Sequence, residues 1–146
     1  MFYAYKSAPT LNATGNGAAY APICDTVKLN QGAAYSGATG VFTAPVNGVY
    51  AFNYSEYTQG AVAATFISLK LINSNASPSG CGNPEASLVL TPGLTDLSLS
   101  ASALIYLRAT DTAYFTITVG GEAGNTESVY GNAVNSLTSF SGRLVC

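Results

Sequence analysis

The ionisable side chains of this chain are few, and their types limit the chemistry that it can do. Among 146 residues there is no histidine, so neither a Ser-His-Asp triad nor a Cys-His pair can form. Catalysis by paired carboxylates would need two acidic side chains to converge, and their spacing gives no sign of this. We therefore predict a non-enzymatic protein, with no catalytic residues and with each acidic side chain in solvent. The acidic residues are Asp25, Glu56, Glu85, Asp96, Asp111, Glu122 and Glu127.

Three cysteines, Cys24, Cys81 and Cys146, are spread across the sequence. Without histidine or a Cys-x-x-Cys pair, they cannot supply the four ligands of a structural zinc site, and we predict no metal site. Any two of them could form one disulfide and leave one thiol, and all three pairings stay open. The alternative is that they are buried or partly buried free thiols.

Charge and hydropathy exclude several classes of partner. Charged residues make up 8% of the chain and the net charge is −2, with no cluster of Lys and Arg. Nucleic-acid backbones are bound by such clusters, so we predict no nucleic-acid partner. No run of 18 apolar residues is present, and we predict no membrane insertion. The glycines near Gly15 and Gly120 do not form a Gly-x-Gly-x-x-Gly motif between a strand and a helix, which argues against nucleotide binding.

The first residues alternate like a strand and do not form a basic segment followed by an apolar run. Met1 leads directly into Phe2–Lys6, so we expect no signal peptide. Two interpretations stay open. The protein is used without secretion, as a virion protein released by lysis would be, or the chain is a fragment of a longer secreted protein.

Period-two alternation of apolar and polar residues runs through the sequence and predicts β-strands. In residues 49–55, three aromatic side chains share one face and two polar side chains share the other. Comparable segments are 65–71, 97–103, 113–119 and 137–145. Clusters of Gly, Pro and Asn separate the segments, and no window has a helical period. We predict one all-β domain, residues 1–146, with eight to ten strands in a sandwich, barrel or jelly roll.

The longest irregular segment is 73–84, which contains Pro, Gly, Ser and one cysteine. We expect an exposed loop at one end of the domain. Loops on a rigid β-scaffold often carry recognition, so we predict that this segment contacts a ligand. The candidate recognition residues are Asn73, Asn75, Ser79 and Asn83.

Residues 40–52, GVFTAPVNGVYAF, resemble the signature of C1q-type domains, which is roughly Gly-x-Phe-Thr-Ala-Pro-x-x-Gly-x-Tyr-x-Phe. Residues 2–5 resemble the family's opening Phe-x-Ala strand, and residues 139–144 resemble its closing Phe-x-Gly-x-Leu strand. Residues 107–111 resemble its Leu-x-x-Gly-Asp turn. The resemblance covers nearly the whole chain.

Single positions within these motifs also have direct physical interpretations. Pro45 should end a strand, because proline cannot donate a hydrogen bond to a sheet ladder. Gly48 should permit a tight turn with a positive φ. Tyr50 and Phe52 should then place two large rings in the core. Thr110 departs from the family pattern, because it stands where the family's turn usually has glycine.

The resemblance implies a ten-strand antiparallel jelly-roll sandwich of the C1q/TNF-like type that forms homotrimers. The predicted strand at 104–107 supports this, because Leu104 and Tyr106 make it apolar on the side opposite Ile105 and Leu107. A strand buried on both sides needs a second partner, and another subunit is the natural one. The candidate trimer-interface residues are Tyr3, Tyr5, Leu104, Tyr106, Tyr114 and Phe140.

Some C1q-type relatives bind calcium with loop carboxylates and carbonyls. This sequence has no Asp-x-Asp-x-Asp-Gly pattern, and the acids of its last third are Asp111, Glu122 and Glu127. We predict no cofactor, and calcium is the one exception that we keep open.

The combined features predict a trimeric, surface-presenting module on a virion, either a receptor-binding head at a phage fibre tip or a capsid decoration protein. Its partners would be virion proteins, or a receptor or glycan on the host surface. The basis is low charge, many small polar residues, and the lack of a signal peptide, a collagen-like stalk and catalytic residues. The alternative is an extracellular C1q-like recognition domain from a longer secreted protein, with glycan or protein ligands.

Overall fold

The computed structural model describes residues 1–15, 17–60, 66–74, 84–89, 96–121, 126–132 and 134–146. Secondary structure in these segments is β-strand, apart from a 3₁₀ turn at Gln31–Ala33. The strands are β1 Phe2–Tyr5, β2 Thr10–Gly15, β3 Ala19–Tyr20, β4 Thr26–Asn30, β5 Tyr35–Ser36, β6 Val41–Thr43, β7 Gly48–Gln59, β8 Phe66–Asn73, β9 Glu85–Val89, β10 Asp96–Leu107, β11 Thr112–Gly120, β12 Thr126–Val129 and β13 Ser139–Leu144.

The strands form two antiparallel sheets. In the first sheet, β7 pairs along its whole length with β10 on one side, and with β13 and β12 on the other. β13 continues to β1 and β4, and β12 continues to β2. The second sheet has the order β5-β6-β11-β8-β9, and β3 pairs with the far end of β11. This confirms the predicted jelly-roll sandwich. The strands outnumber the expected ten partly because β3 and β5, of two residues each, count separately.

Aromatic rings from both sheets fill the core between them. The predicted alternation in β7 is confirmed, because Tyr50, Phe52 and Tyr54 are all at most 2% exposed. Phe52 lies near the centre, with its ring centroid 5.3 Å from Phe42 and 5.6 Å from Phe140. Phe42 belongs to the second sheet and Phe140 to the first, so the Phe52 ring packs both across the sandwich and within its own sheet. Each such ring buries on the order of 150–250 Å², and these contacts therefore contribute much of the stability of the fold.

The turn between β6 and β7 follows from the residues of the 40–52 motif. The Tyr50 hydroxyl donates to the Val46 carbonyl at 2.7 Å and holds the turn against the strand. The expectation for Gly48 is wrong, because its φ is not positive. Glycine is needed there because the chain passes close by. A Cβ atom would lie 2.5 Å from Leu144 Cδ1 and 2.7 Å from the Cys146 carbonyl oxygen.

The turn between β10 and β11 keeps the conformation of a glycine turn without the glycine. Thr110 has a φ of 76°, which is the left-handed region that β-branched residues rarely adopt. Hydrogen bonds hold it there. The Arg108 amide donates to the Asp111 carboxylate at 2.8 Å, and the Thr110 amide donates to the Ala44 carbonyl at 2.8 Å. The turn is therefore set by its neighbours despite an unfavourable residue.

Candidate functional site

The outward side of the first sheet presents a broad face built from small polar side chains. The strand registers place Ser102, Asn53, Ser141, Tyr3 and Leu29 in one row across β10, β7, β13, β1 and β4. Directly paired residues of antiparallel strands lie on the same side of the sheet, so these side chains are neighbours. This row and the row beside it, together with Leu104 and Tyr106 at one end, form what we call the front face. The second row is Ser100, Ser55, Ser139, Tyr5 and Thr26.

The centre of the front face is shallow and its end is apolar. Serine side chains of β7, β10 and β13, together with Asn53, line a solvent-open depression of about 380 Å³. At the end of β10, Leu104 is 67% exposed and Tyr106 is 42% exposed. Ile105 and Leu107 are buried, so the strand is apolar on both sides, as predicted. The centre has room for another side chain. Removing the apolar end from water would lower the free energy of the protein.

The predicted interface residues of β1 differ in their exposure. Tyr3 is half-buried on the front face and keeps part of its ring accessible. Tyr5 occupies the next outward position, but it is 4% exposed, and the Lys28 ammonium lies 5.5 Å from its ring centroid. Tyr5 therefore offers almost no surface to a second subunit, which corrects that expectation.

Two other interface candidates lie elsewhere in the fold. Phe140 is fully buried, with its ring centroid 5.0 Å from Phe2 and 5.4 Å from Phe115. It belongs to the core of the subunit and cannot contact another one. Tyr114 is half-buried on β11 in the second sheet, where it lines a groove with Lys70 and Ile72. It is not part of the front face, so only Tyr3, Leu104 and Tyr106 of the six candidates present surface there.

The predicted recognition loop lies mostly beyond the described residues. Asn75, Ser79 and Asn83 fall outside them. Asn73 is the last residue of β8 and is 6% exposed, so it is a buried strand residue and not part of an exposed loop. Its backbone pairs with Ala113 on β11. The strand is one residue longer than the sequence pattern predicts.

Two acidic residues are buried, contrary to the expectation that every acid lies in solvent. Glu56 and Glu127 are both 0% exposed. Burial, and to a lesser degree the nearby charge of Glu127, raise the pKa of Glu56 from 4.5 to about 9. The alternation of β7 contained the signal, because Glu56 is in phase with Phe52 and Tyr54, whose side chains point inward.

The other acids described are at the surface or in turns. Asp111 accepts hydrogen bonds from the Arg108 amide and side chain, so it stabilises a turn. Glu85 forms an ion pair with Lys70 at 3.5 Å. Among the described residues, no group of three or more His, Cys, Asp or Glu side chains is arranged to hold a metal ion.

The two described cysteines are free thiols in opposite environments. Cys24 is buried, and its thiol lies 3.9 Å from the Thr138 carbonyl oxygen. Burial raises its pKa from 9.0 to about 12, so it stays protonated at neutral pH. Cys146 is exposed, and Cys81 lies outside the described residues.

The fold is similar to that of solved structures. Two solved structures share the fold over 99% of this chain at 16% identity. The globular domain of the zebrafish complement 1qA protein has a TM-score of 0.64, with 96% of that chain covered. Eiger TNF from S. frugiperda has a TM-score of 0.63, with 90% of that chain covered. No curated protein matches the sequence.

In the part of the chain that the structure describes, no helix is long and apolar enough to cross a membrane. The family model for the C1q domain matches residues 4–145, which is nearly the whole chain. The jelly-roll topology, the 40–52 motif and this match agree. The chain belongs to the C1q domain family.

Proposed function

We propose that this protein is a non-enzymatic, homotrimeric module that presents a recognition surface, and that the front face forms the contact between its subunits. C1q and TNF-like domains are recognition modules that typically form homotrimers and bind ligands. The observation that supports a subunit contact on the front face is the exposed apolar end of β10, at Leu104 and Tyr106.

The chemistry of the front face suits a contact between identical copies. Tyr3, Leu104 and Tyr106 offer apolar area, and aromatic residues are enriched in such interfaces. The depression between the serines of β7, β10 and β13 can receive a side chain from the next subunit. Arg143 lies on the face itself, in the row of Leu104 and Ala51, and Lys28 is exposed beside Tyr5. The two rows of the face that were named above carry no charged side chain, so few charges have to be removed from water when copies associate.

Light scattering on the purified protein tests this directly. We expect a mass of about 45 kDa, three times the 14.9 kDa of one chain. Leu104→Asp should give monomers, because it removes exposed apolar surface from the contact and places there a carboxylate that has to be taken out of water. Val134→Asp is the matched control, since Val134 is 86% exposed and lies in the segment between β12 and β13, outside the strand rows of the front face. A monomeric wild type, or a trimeric Leu104→Asp, would refute the assignment.

Within this function, we infer that the domain acts on a virion surface as a fibre-tip head or a decoration protein. The support is a composition with 8% charged residues and a front face built from Ser and Asn, which suits permanent packing in a particle. The position of the gene tests this inference. Neighbouring genes for structural proteins of a phage are expected, and a neighbourhood without them would count against a virion role.

A second candidate, an extracellular recognition domain, is favoured by the outward side of the second sheet. Domains of this family are generally extracellular. A groove of about 410 Å³ crosses the outward side of the second sheet, and its lining includes Tyr114, Phe66 and the hydroxyls of Thr116 and Thr118. An aromatic ring beside several hydroxyls is a surface on which a sugar can stack and form hydrogen bonds. Glycan-array binding that Tyr114→Ala abolishes and Tyr3→Ala leaves intact would support this candidate, and an array without signal would count against it.

A further inference from the structure

Arg143 projects from β13 onto the front face, beside its apolar end. The strand registers place it in one row with Ala51 and Leu104, across β13, β7 and β10. The neighbouring row contributes Ser102 and Asn53, which are paired with each other, and Asn53 is diagonal to Arg143. All five residues line one groove of about 420 Å³, in which Arg143 is exposed. The cation therefore lies among polar side chains at the edge of an apolar patch.

Arg143 has no ion-pair partner within the described part of its own subunit. The ion pairs between described residues do not include it. On the outward side of β7, β10 and β13, the acidic residue among those described is Asp96. Asp96 is paired with Gln59, eight residues along β7 from Ala51, which corresponds to roughly 26 Å. A counter-charge for Arg143 would therefore have to come from outside this subunit.

The groove around Arg143 offers hydrogen-bond donors and a positive charge. A guanidinium presents its N–H groups in a planar fork, which matches two oxygens of an oxyanion with parallel hydrogen bonds. The side-chain amide of Asn53 and the hydroxyl of Ser102 can donate as well. This donor set suits a negatively charged ligand with several oxygens better than it suits a cation or an apolar group.

Association of subunits through the front face changes what Arg143 needs. In a single chain, water solvates the exposed guanidinium. When another copy covers Leu104, the adjacent guanidinium loses water, and a buried charge without a partner opposes association. Three subunits also bring three like charges into one assembly, where they repel one another. A small anion in the groove would relieve both effects, whereas the charged group of a large ligand could not enter a covered face.

We propose that Arg143, Asn53 and Ser102 bind a small oxyanion, such as sulfate or phosphate, which becomes enclosed when the homotrimer forms. This inference rests on the proposed contact through the front face and adds a condition to it, because assembly then depends on the anion. Binding of the oxyanion and association of the subunits are coupled, so each strengthens the other.

Equilibrium dialysis of the purified protein against radiolabelled sulfate, at constant ionic strength, tests the site directly. We expect saturable binding by the wild type. Arg143→Gln should weaken it by roughly 10–100-fold, because hydrogen bonds to a charged group are lost. Arg108→Gln is the matched control and should bind like the wild type, because Arg108 pairs with Asp111 in a turn. A wild type that binds no sulfate, or unchanged affinity in Arg143→Gln, would overturn the proposal.

Light scattering of a dilution series separates this proposal from that of the trimer itself. The series is run in sulfate and in chloride at equal ionic strength, with enough urea to make dissociation of the wild type measurable. Sulfate at 100 times its dissociation constant should favour the assembled form about 100-fold, so the protein concentration at half dissociation should fall at least about tenfold. Equal dissociation in both salts would overturn the anion site and leave the trimer standing. A monomer in both salts would refute the trimer contact and this site with it.

Two variants at position 143 exclude simpler explanations. Sulfate stabilises folded proteins in general, and that effect should persist in Arg143→Gln, so the wild type should shift much more than this variant. Arg143→Met removes the charge but keeps a long side chain, so in chloride it should associate more tightly than the wild type. An equal shift in Arg143→Gln would contradict the site. Weaker association of Arg143→Met in chloride would also contradict it, because the guanidinium would then pair with an acid of the next subunit.

Discussion

The buried Glu56 should make the stability of this protein fall as the pH rises. In the folded chain the pKa of Glu56 is raised to about 9, whereas in the unfolded chain it returns to about 4.5. Between these values the folded state holds a proton that the unfolded state releases, so unfolding is favoured by higher pH. The stabilisation is complete below pH 4.5 and is lost progressively up to about pH 9.

The magnitude follows from the size of the shift. One proton released on unfolding changes the free energy of unfolding by about 1.4 kcal/mol per pH unit. From pH 5 to pH 8 the wild type should therefore lose about 4 kcal/mol. Such a loss is a large part of the 5–15 kcal/mol that a domain typically has. Among the described groups, the charge that acts on Glu56 is that of Glu127, so no neighbouring cation should cancel the effect.

Urea denaturation at a series of pH values, at one fixed protein concentration, measures this slope. Glu56→Gln should remove most of the slope, because glutamine does not titrate, and should be more stable than the wild type at pH 8. Glu85→Gln should keep the wild-type slope, because Glu85 is a partly exposed surface residue. A wild type of constant stability between pH 5 and 8, or an equal slope in Glu56→Gln, would refute the reasoning.

Three further predictions concern single positions. Thr110→Gly should raise the free energy of unfolding in urea by about 1 kcal/mol, because glycine adopts the positive φ of this position without strain. The greater entropy of glycine in the unfolded chain offsets part of the gain, and a destabilised variant would contradict the prediction. Gly142→Ala should destabilise it by about 1–3 kcal/mol, since the new Cβ would lie 2.6 Å from a core ring, and unchanged stability would argue against that packing. In a Cys81→Ser background, a thiol reagent at pH 8 should label Cys146 rapidly and leave Cys24 unmodified until the protein unfolds.

The fold could be predicted from the sequence because its signals are local and repeated. Alternation in β7 and β10 sets which side chains point inward, and the structure confirms it at Phe52 and at Ile105. The 40–52 motif then indicates which jelly roll the strands form. Alternation says which face a side chain occupies, however, and not what covers that face. For this reason Tyr5 and Phe140 were predicted at an interface, although one lies under Lys28 and the other lies in the core.

Glu56 and Glu127 were predicted in solvent, but both lie in the interior. Glu56 was predicted in solvent because glutamate generally prefers water. Its position is nevertheless in phase with the core positions of β7, and the strand pattern was the better guide. Glu127 had even less local signal, because its strand β12 is four residues long and acquires its register by pairing with β7 and β2. Pairing between distant segments is what a single sequence shows least well. The burial of Glu127 could therefore be found only from the folded arrangement.

The position of β13 in the first sheet governs when the domain can fold during synthesis. β13 lies between β7 and β1, so the first strand of the chain has no place in the sheet until residues 139–144 exist. At about 5–20 residues per second, the ribosome needs roughly 7–30 s to make the chain. Throughout that time Phe2 and Phe52 lack the Phe140 ring that separates them from water. The nascent chain must therefore stay soluble while unfolded, and folding must follow completion of its last strand.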